Sequence, residues 1–369
     1  MATIDSDAHV VESERTWDFM DPSDAHLRPT VVTIPDASGK PRHHWLIDGK
    51  VRNVARHPVG SNGKQDASVM SEETEAATRA SGRNMTTPVA FRHMEDVKGR
   101  LRHMDQLGTD IQVLYSTIFT HRVADRPEVD VALCRSYNRW LADIWGQSEN
   151  RLRWAAVLPM TAIEEAVKEL HTVVENGACA MSMRPIEGDM MPSNPYFFPL
   201  YEEASRLNVP VAFHIGNSNT TLRQVLSDGG SDNTFGYLRL MSVAAFHALI
   251  MKGIPDLFPN LRFGFLEASA QWVPFAIHDL KRRFQTRGRP WNDDVMRATR
   301  MYVGCQTDDD LPYVLKYAGE DNLLIGTDYG HTDQSAELEA LQVFRKEGQA
   351  SPAVLEKILD QNARTFYNL

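Results

Sequence analysis

The chain has 369 residues, 42% of them hydrophobic and 24% charged, proportions that exclude a disordered or fibrous protein. A formal net charge of −10 argues against general binding to a nucleic-acid backbone, and the sequence holds no run of about 18 apolar residues that would span a membrane. Cys134, Cys179 and Cys305 are too widely spaced for a CxxC motif, which fits a reducing, cytoplasmic setting without a disulfide framework.

In chain order, the opening ATIDSDAH (2–9) reads as a short strand. Its acidic residues stand where a secretory signal would need an apolar core, so no signal peptide is expected. Residues 17–95 interrupt the pattern as a long insertion: PDASGKPRHHWLIDGKVRN predicts a hairpin with turns at Ser-Gly and Asp-Gly, and the polar run after it is poorly periodic. Such an insertion is read as a lid or an oligomer contact. From there apolar runs alternate with helical patterns. The runs are TDIQVLY (109–115), LRWAAVLPM (152–160), ACAMSMRP (178–185), NVPVAFHIG (208–216), NLRFGFLEAS (260–269), RMYVGCQ (300–306) and NLLIGTD (322–328). Gly108 reads as the cap that ends the helix before the first of these. Eight strands, nearly all preceded by a helical pattern, imply a parallel sheet of the α/β class closed into a (β/α)8 barrel. The runner-up, an open doubly wound sheet, lacks a glycine-rich turn after its first strand. The whole of 1–369 is read as one domain carrying the insertion.

Catalytic groups of such a barrel lie at the C-terminal ends of its strands. There the sequence places Asp7 and His9, His214, Glu267 and Asp328, with Glu12 and His331 shortly after. A single Asp in such a place is usually a helix cap and a single His a packing residue, but imidazoles and carboxylates from separate strands converge on the barrel axis as metal ligands do. Asp7 and His9 alternate, so both point to one side of their strand. Glu12 reads as a ligand from the loop or as a partner of Arg15, and His331 as a ligand or as support for Asp328. Seven donors exceed what one ion with an open position uses, which points to two. His121, Arg122 and Arg184 follow strands where a substrate carboxylate or thioester oxygen would sit; ion pairing is the alternative. His247 reads as a packed helix residue, and His43–His44 as part of a lid or subunit contact.

DxH on strand one, AFHIG on strand five, GTDYGH on strand eight and the C-terminal NARTFYNL resemble the amidohydrolase superfamily. More narrowly they resemble its amidohydrolase-related group, which includes aminocarboxymuconate semialdehyde decarboxylase and the aromatic acid decarboxylases. The resemblance implies a distorted TIM barrel with a long insertion after strand 1 and metal ligands Asp7, His9, His214 and Asp328. Three departures bear on the reaction. Strand one carries DxH rather than HxH or ExH, a harder donor set that favours manganese or iron over zinc. Strand four has no lysine to be carbamylated. Glu267 stands where the group usually has a histidine base, which weakens a decarboxylase reading and resembles a dinuclear iron or manganese branch. The expected activity is hydrolysis of an amide, ester or thioester carbonyl of a small carboxylated or acyl substrate, with one or two divalent ions (iron, manganese or zinc) and Asp328 or Glu267 as general base. The alternatives are a dinuclear oxygen-activating hydroxylase, a non-oxidative decarboxylase, and a silent subunit paired with an active homologue. A homo-oligomer, or a hetero-oligomer with a homologous subunit, is expected because the insertion presents apolar groups such as HHWLIDGKV.

Overall fold

The computed structural model describes residues 2–36, 39–55, 79–226, 235–347 and 349–369. Eleven strands are present among them: β1 (Ile4–Val10), β2 (Thr30–Pro35), β3 (Pro41–Ile47), β4 (Lys50–Val54), β5 (Ile111–Ser116), β6 (Leu152–Val157), β7 (Ala178–Met183), β8 (Val211–His214), β9 (Phe263–Leu266), β10 (Met301–Cys305) and β11 (Leu323–Ile325). β1 and β5 to β11 form one parallel sheet in the order β1-β5-β6-β7-β8-β9-β10-β11. Each of the eight runs expected from the sequence overlaps one of these strands.

All seven residues of β1 are buried. A strand covered on one face by the barrel interior and on the other by helices has no solvent side, so most strands of this sheet are apolar runs without alternation, whereas β1 buries Asp5, Ser6, Asp7 and His9 as well. The sheet closes on itself through backbone: Asp328 N–H donates to the Asp7 carbonyl at 2.8 Å and His9 N–H to the Tyr329 carbonyl at 2.6 Å. The last strand is only three residues long, so this seam is made by the turn that follows it. Helices surround the sheet, as in Val97–Leu107, which starts at the Asp96 side chain and ends at Gly108 with φ 68°. None of the helices among the described residues is long and apolar enough to cross a membrane.

The insertion contributes a second, antiparallel sheet in the order β2-β3-β4. Asp48 and Gly49, with φ 53° and 69°, make the two-residue turn from Ile47 to Lys50, the left-handed geometry that an Asp-Gly pair favours. Trp45 and Ile47 are each 1% exposed, and Trp45 meets the Trp17 ring edge to face at 5.9 Å. Trp45 and Ile47 are therefore covered by the chain itself, while Val51 of the same stretch is 48% exposed. Much of the polar run after the hairpin, and residues 227–234, lie outside the described residues. After β8 the chain forms the short helix Thr220–Leu226.

At the barrel's centre the C-terminal segment returns to the core. Tyr367 hydroxyl donates to the Ser6 carbonyl at 2.9 Å and meets the Tyr115 hydroxyl at 2.8 Å. The Phe366 ring lies where a side chain on residue 264 would stand, 2.4 Å from the position of a Cβ, so β9 needs glycine there.

Candidate metal centre

β1 supplies Asp7 and His9, two residues apart and on one face. β8 ends in His214, β9 is followed by Glu267, and β11 by Asp328 and His331. All six side chains are buried. They form two overlapping groups, Asp7–His9–His214–Glu267 and His9–Glu267–Asp328–His331, in each of which one donor atom per residue lies within 4.8 Å of the others. His9 and Glu267 belong to both. His214 Nε2 is 2.8 Å from Glu267 Oε2 and 3.2 Å from Asp7 Oδ1. His9 Nε2 is 3.4 Å from both Asp7 Oδ1 and Asp328 Oδ1. His331 Nδ1 approaches Asp328 Oδ1 at 2.8 Å while its Nε2 meets the Thr117 hydroxyl at 2.9 Å, so this histidine is both in the cluster and oriented by a neighbour. The His9 and His331 rings stack at 3.8 Å.

Three carboxylates packed this closely set the electrostatics. Burial, then the charges of Asp333, Glu267 and Asp7, raise the Asp328 carboxyl well above its ordinary range. Burial likewise raises Glu267. For Asp7 burial acts in the same sense, but the adjacent His214 and His9 outweigh it and hold the group low. His214 is raised well above the usual imidazole value: burial opposes this, and the Glu267 and Asp7 charges overcome it. His9 is lowered by burial. Both its ring nitrogens are buried without a hydrogen-bond partner among the described residues. Unpartnered buried donors and acceptors are costly, and a divalent cation would satisfy them while replacing protons held on crowded carboxyls. The cluster therefore fits a metal, and its mixture of imidazole and carboxylate suits iron, manganese or zinc.

Glu12 sits outside both groups. Its carboxylate turns to the loop after β5 and accepts from Ser116 Oγ at 2.6 Å, Thr117 N at 3.1 Å and Ile118 N at 3.2 Å. Arg15 faces Glu95 at 3.8 Å instead. Arg184 is also otherwise engaged: it pairs with Glu187 at 2.6 Å and donates to the Phe119 and His121 carbonyls at 2.8 and 3.1 Å, tying two loops together. His247 pairs with Asp279 at 2.9 Å on a half-buried helix face rather than packing in the core.

A cavity of about 560 Å³ leads down to Glu267, His331 and Asp333. Its wall includes the expected His121 and Arg122, and also His44, Arg52, Arg223 and Tyr237, which the sequence did not single out as a set. Arg52 and His44 come from the insertion sheet, and Arg223 from the short helix after β8. Apart from His44, already read as part of a lid or subunit contact, only residue type signalled them, because the chain brings His44 and Arg223 together across 179 positions. Burial, followed by the nearby charge of Arg223, lowers the His121 imidazole to about 3, so it is neutral. Asp309 was likewise not anticipated: it accepts from Ser269 Oγ, Ala270 N and Gln306 N, joining the turns after β9 and β10.

Comparison with known proteins adds four findings. The family model described as "Amidohydrolase" matches residues 4–369. Among curated proteins, the 2-amino-3-carboxymuconate-6-semialdehyde decarboxylase of Dictyostelium discoideum is 23% identical over 287 residues, 73% of this chain and 76% of that protein. Among solved structures, an amidohydrolase of Mycobacterium avium subsp. paratuberculosis superposes with a TM-score of 0.77 at 19% identity, covering 99% of both chains. A manganese-bound 5-carboxyvanillate decarboxylase of Novosphingobium aromaticivorans does so with a TM-score of 0.64 at 16% identity, over 80% of this chain and 93% of that one.

Proposed function

Because the chain belongs to the amidohydrolase family, we propose that it is a two-ion metalloenzyme that hydrolyses the acyl carbonyl of a small acidic substrate. The observation that carries this reading is the pair of donor groups sharing His9 and Glu267. One group would hold an ion through Asp7 and His214, the other through Asp328 and His331, with His9 between them and Glu267 beside both. When bound, the metal supplies Lewis acidity toward the carbonyl oxygen and lowers the pKa of water.

The chain's own residues do the rest. Glu267 lies in the cavity wall and beside His214, so its carboxylate takes the proton of the attacking water and returns it to the leaving group. Asp328, fixed by His331, is the second base. Thr117 holds the His331 ring from the opposite side. Tyr115, at 5.1 Å from the His214 ring, closes the inner wall and limits water behind the site. His121 is neutral and contacts substrate without adding charge.

Two other reactions have support of their own. Two of the three named relatives are decarboxylases, and protonated Glu267 would there deliver a proton to the carbon that loses carbon dioxide. Three carboxylates and three imidazoles also suit an iron pair that activates dioxygen. One experiment separates them. Protein loaded with iron, manganese or zinc is incubated with a panel of carboxylic acids, esters and acyl thioesters, with and without air, following free acid or thiol, carbon dioxide and oxygen uptake. Release of acid or thiol independent of air is the expected result. Carbon dioxide without oxygen uptake, or product formed only in air, replaces it with the corresponding alternative.

A further inference from the structure

We propose that Asp309, a buried carboxylate in the loop after β10, is the positioning residue that aims Glu267 at the metal centre, although β10 itself carries no metal donor. This rests on the metalloenzyme reading for what Glu267 does, but not for how Glu267 is held.

Glu267 does not hold its own aim. Its Oε2 lies 2.8 Å from His214 Nε2 as an ion pair but is buried without a directed hydrogen bond among the described residues. The direction of the side chain therefore comes from its backbone, and that backbone is unusual. Glu267 and Ser269 both have φ of 62°, a region that residues with side chains rarely adopt and keep only where the surroundings over-determine it. Neither is a glycine or an asparagine, so residue type does not account for the conformation.

The surroundings fix the turn 267–269 along its length. At its start Leu266 pairs with His214 across the β8–β9 ladder. In its middle Ala268 packs among Ile215, Tyr237 and Leu238. At its end Asp309 takes hold. Ser269 Oγ donates to Asp309 Oδ1 at 2.5 Å and Ala270 N–H to Oδ2 at 2.9 Å, while Gln306 N–H donates to Oδ2 at 2.8 Å. Asp309 is 3% exposed, so water does not readily replace it as an acceptor. It is fixed in turn, because Leu311 N–H donates to its carbonyl at 2.8 Å where the helix Leu311–Ala318 begins. Burying a carboxyl group is costly, and the neighbours of this one are hydrogen-bond donors and the acidic Asp308 rather than a cation. The turn that carries Glu267 is what the burial serves.

The test measures metal binding, not turnover: manganese chloride is titrated calorimetrically into chelated protein. Asp309→Ala is expected to bind about tenfold more weakly than wild type, the lower end of what losing a group behind the ligands costs. Asp309→Asn is expected to stay within about threefold, because its carbonyl oxygen still accepts the two N–H groups and its amide donates to Ser269 Oγ. Glu267→Gln replaces the donor itself. Adding Asp309→Ala to it is expected to change the affinity by less than about twofold, since a residue that acts through another then has nothing to act on. Ser269→Ala cuts one of the three bonds, is expected to cost about threefold, and takes the place of Asp309→Ala if that variant does not fold. Asn138→Ala, which removes two hydrogen bonds to β6, a strand without donors, measures what lost stability alone does. Wild-type affinity in folded Asp309→Ala, an equal loss in Asp309→Asn, a further tenfold or so in the double variant, or the same loss in Asn138→Ala at a matched urea midpoint would each overturn the proposal. If the wild type binds no manganese, the metalloenzyme reading fails, and crystal structures of chelated wild type and Asp309→Ala decide. A Glu267 carboxylate that leaves His214 in the variant sustains the positioning role, and one that stays overturns it.

Discussion

Glu267 and Asp328, two donors from different strands, both have left-handed backbone, with φ 62° and 51°. Non-glycine residues in this region cost roughly 1–3 kcal/mol each, and the strain is spent where two carboxylates must turn back toward the axis. The sharing of His9 between the donor groups makes the stoichiometry testable. His9→Ala is expected to lose both ions and His331→Ala about one of two, read by elemental analysis on variants with unchanged circular dichroism. Full metal content in both would count against the two-ion centre. Glu12 gives a pH prediction. Burial raises its carboxyl from 4.5 to about 7, so the folded state binds a proton there that the unfolded state has released. Stability is then highest below the unfolded value, falls as pH rises through that window and levels off above about 7. The shift corresponds to roughly 3 kcal/mol. Glu12→Gln keeps an acceptor for Ser116, and the gap between variant and wild type in urea unfolding is expected to widen from pH 5 to 7; a constant gap would refute the assignment. Asp7 and His9 were legible as neighbours because strand spacing fixes their side. Glu12 was not, since past the strand no period dictates where a side chain turns, and Ser116 and two backbone amides captured it.

Among the elements, the buried strands were the easiest to read. All but β1 are apolar runs that follow a helical pattern, and burial on both faces leaves no competing pattern. Their exact termini were less legible: β9 ends at Leu266, and the turn beyond it is shaped by Asp309, a residue 40 positions from Ser269. The insertion was legible in its Asp-Gly turn and not in its role, because the contacts of Arg52 and Lys50 with Asp125 span more than 70 positions. The fit of β9 against the C-terminal helix gives a paired test. Gly264→Ala would force a methyl into the Phe366 ring and is expected to destabilise by about 1–3 kcal/mol. Gly146→Ala, in a helix with nothing within 4 Å of the new carbon, is expected to be neutral or stabilising by up to about 1 kcal/mol. Urea midpoints for the two would compare them directly, and equal midpoints would mean that the Phe366 contact yields easily.

For the whole molecule, the decisive contact is the seam between the first strand and the turn after the last. Thr327 donates to Asp5 across 322 residues of chain, and the donors flanking that contact, Asp7, His9 and Asp328, are the ones assigned to metal. Chelation is therefore expected to speed amide hydrogen exchange at His9 and Asp328, whose N–H groups make the seam bonds, more than at the mid-barrel pair β6–β7. Uniform acceleration across the sheet, or none, would separate metal loss from barrel closure. The closed sheet has no free border while the seam holds. If ions on this cluster hold the seam, a newly made chain without them would leave β1 and the short β11 with unpaired backbone, the kind of border along which separate molecules join and aggregate. Cofactor supply during synthesis would then govern the yield of soluble protein, and not only its activity.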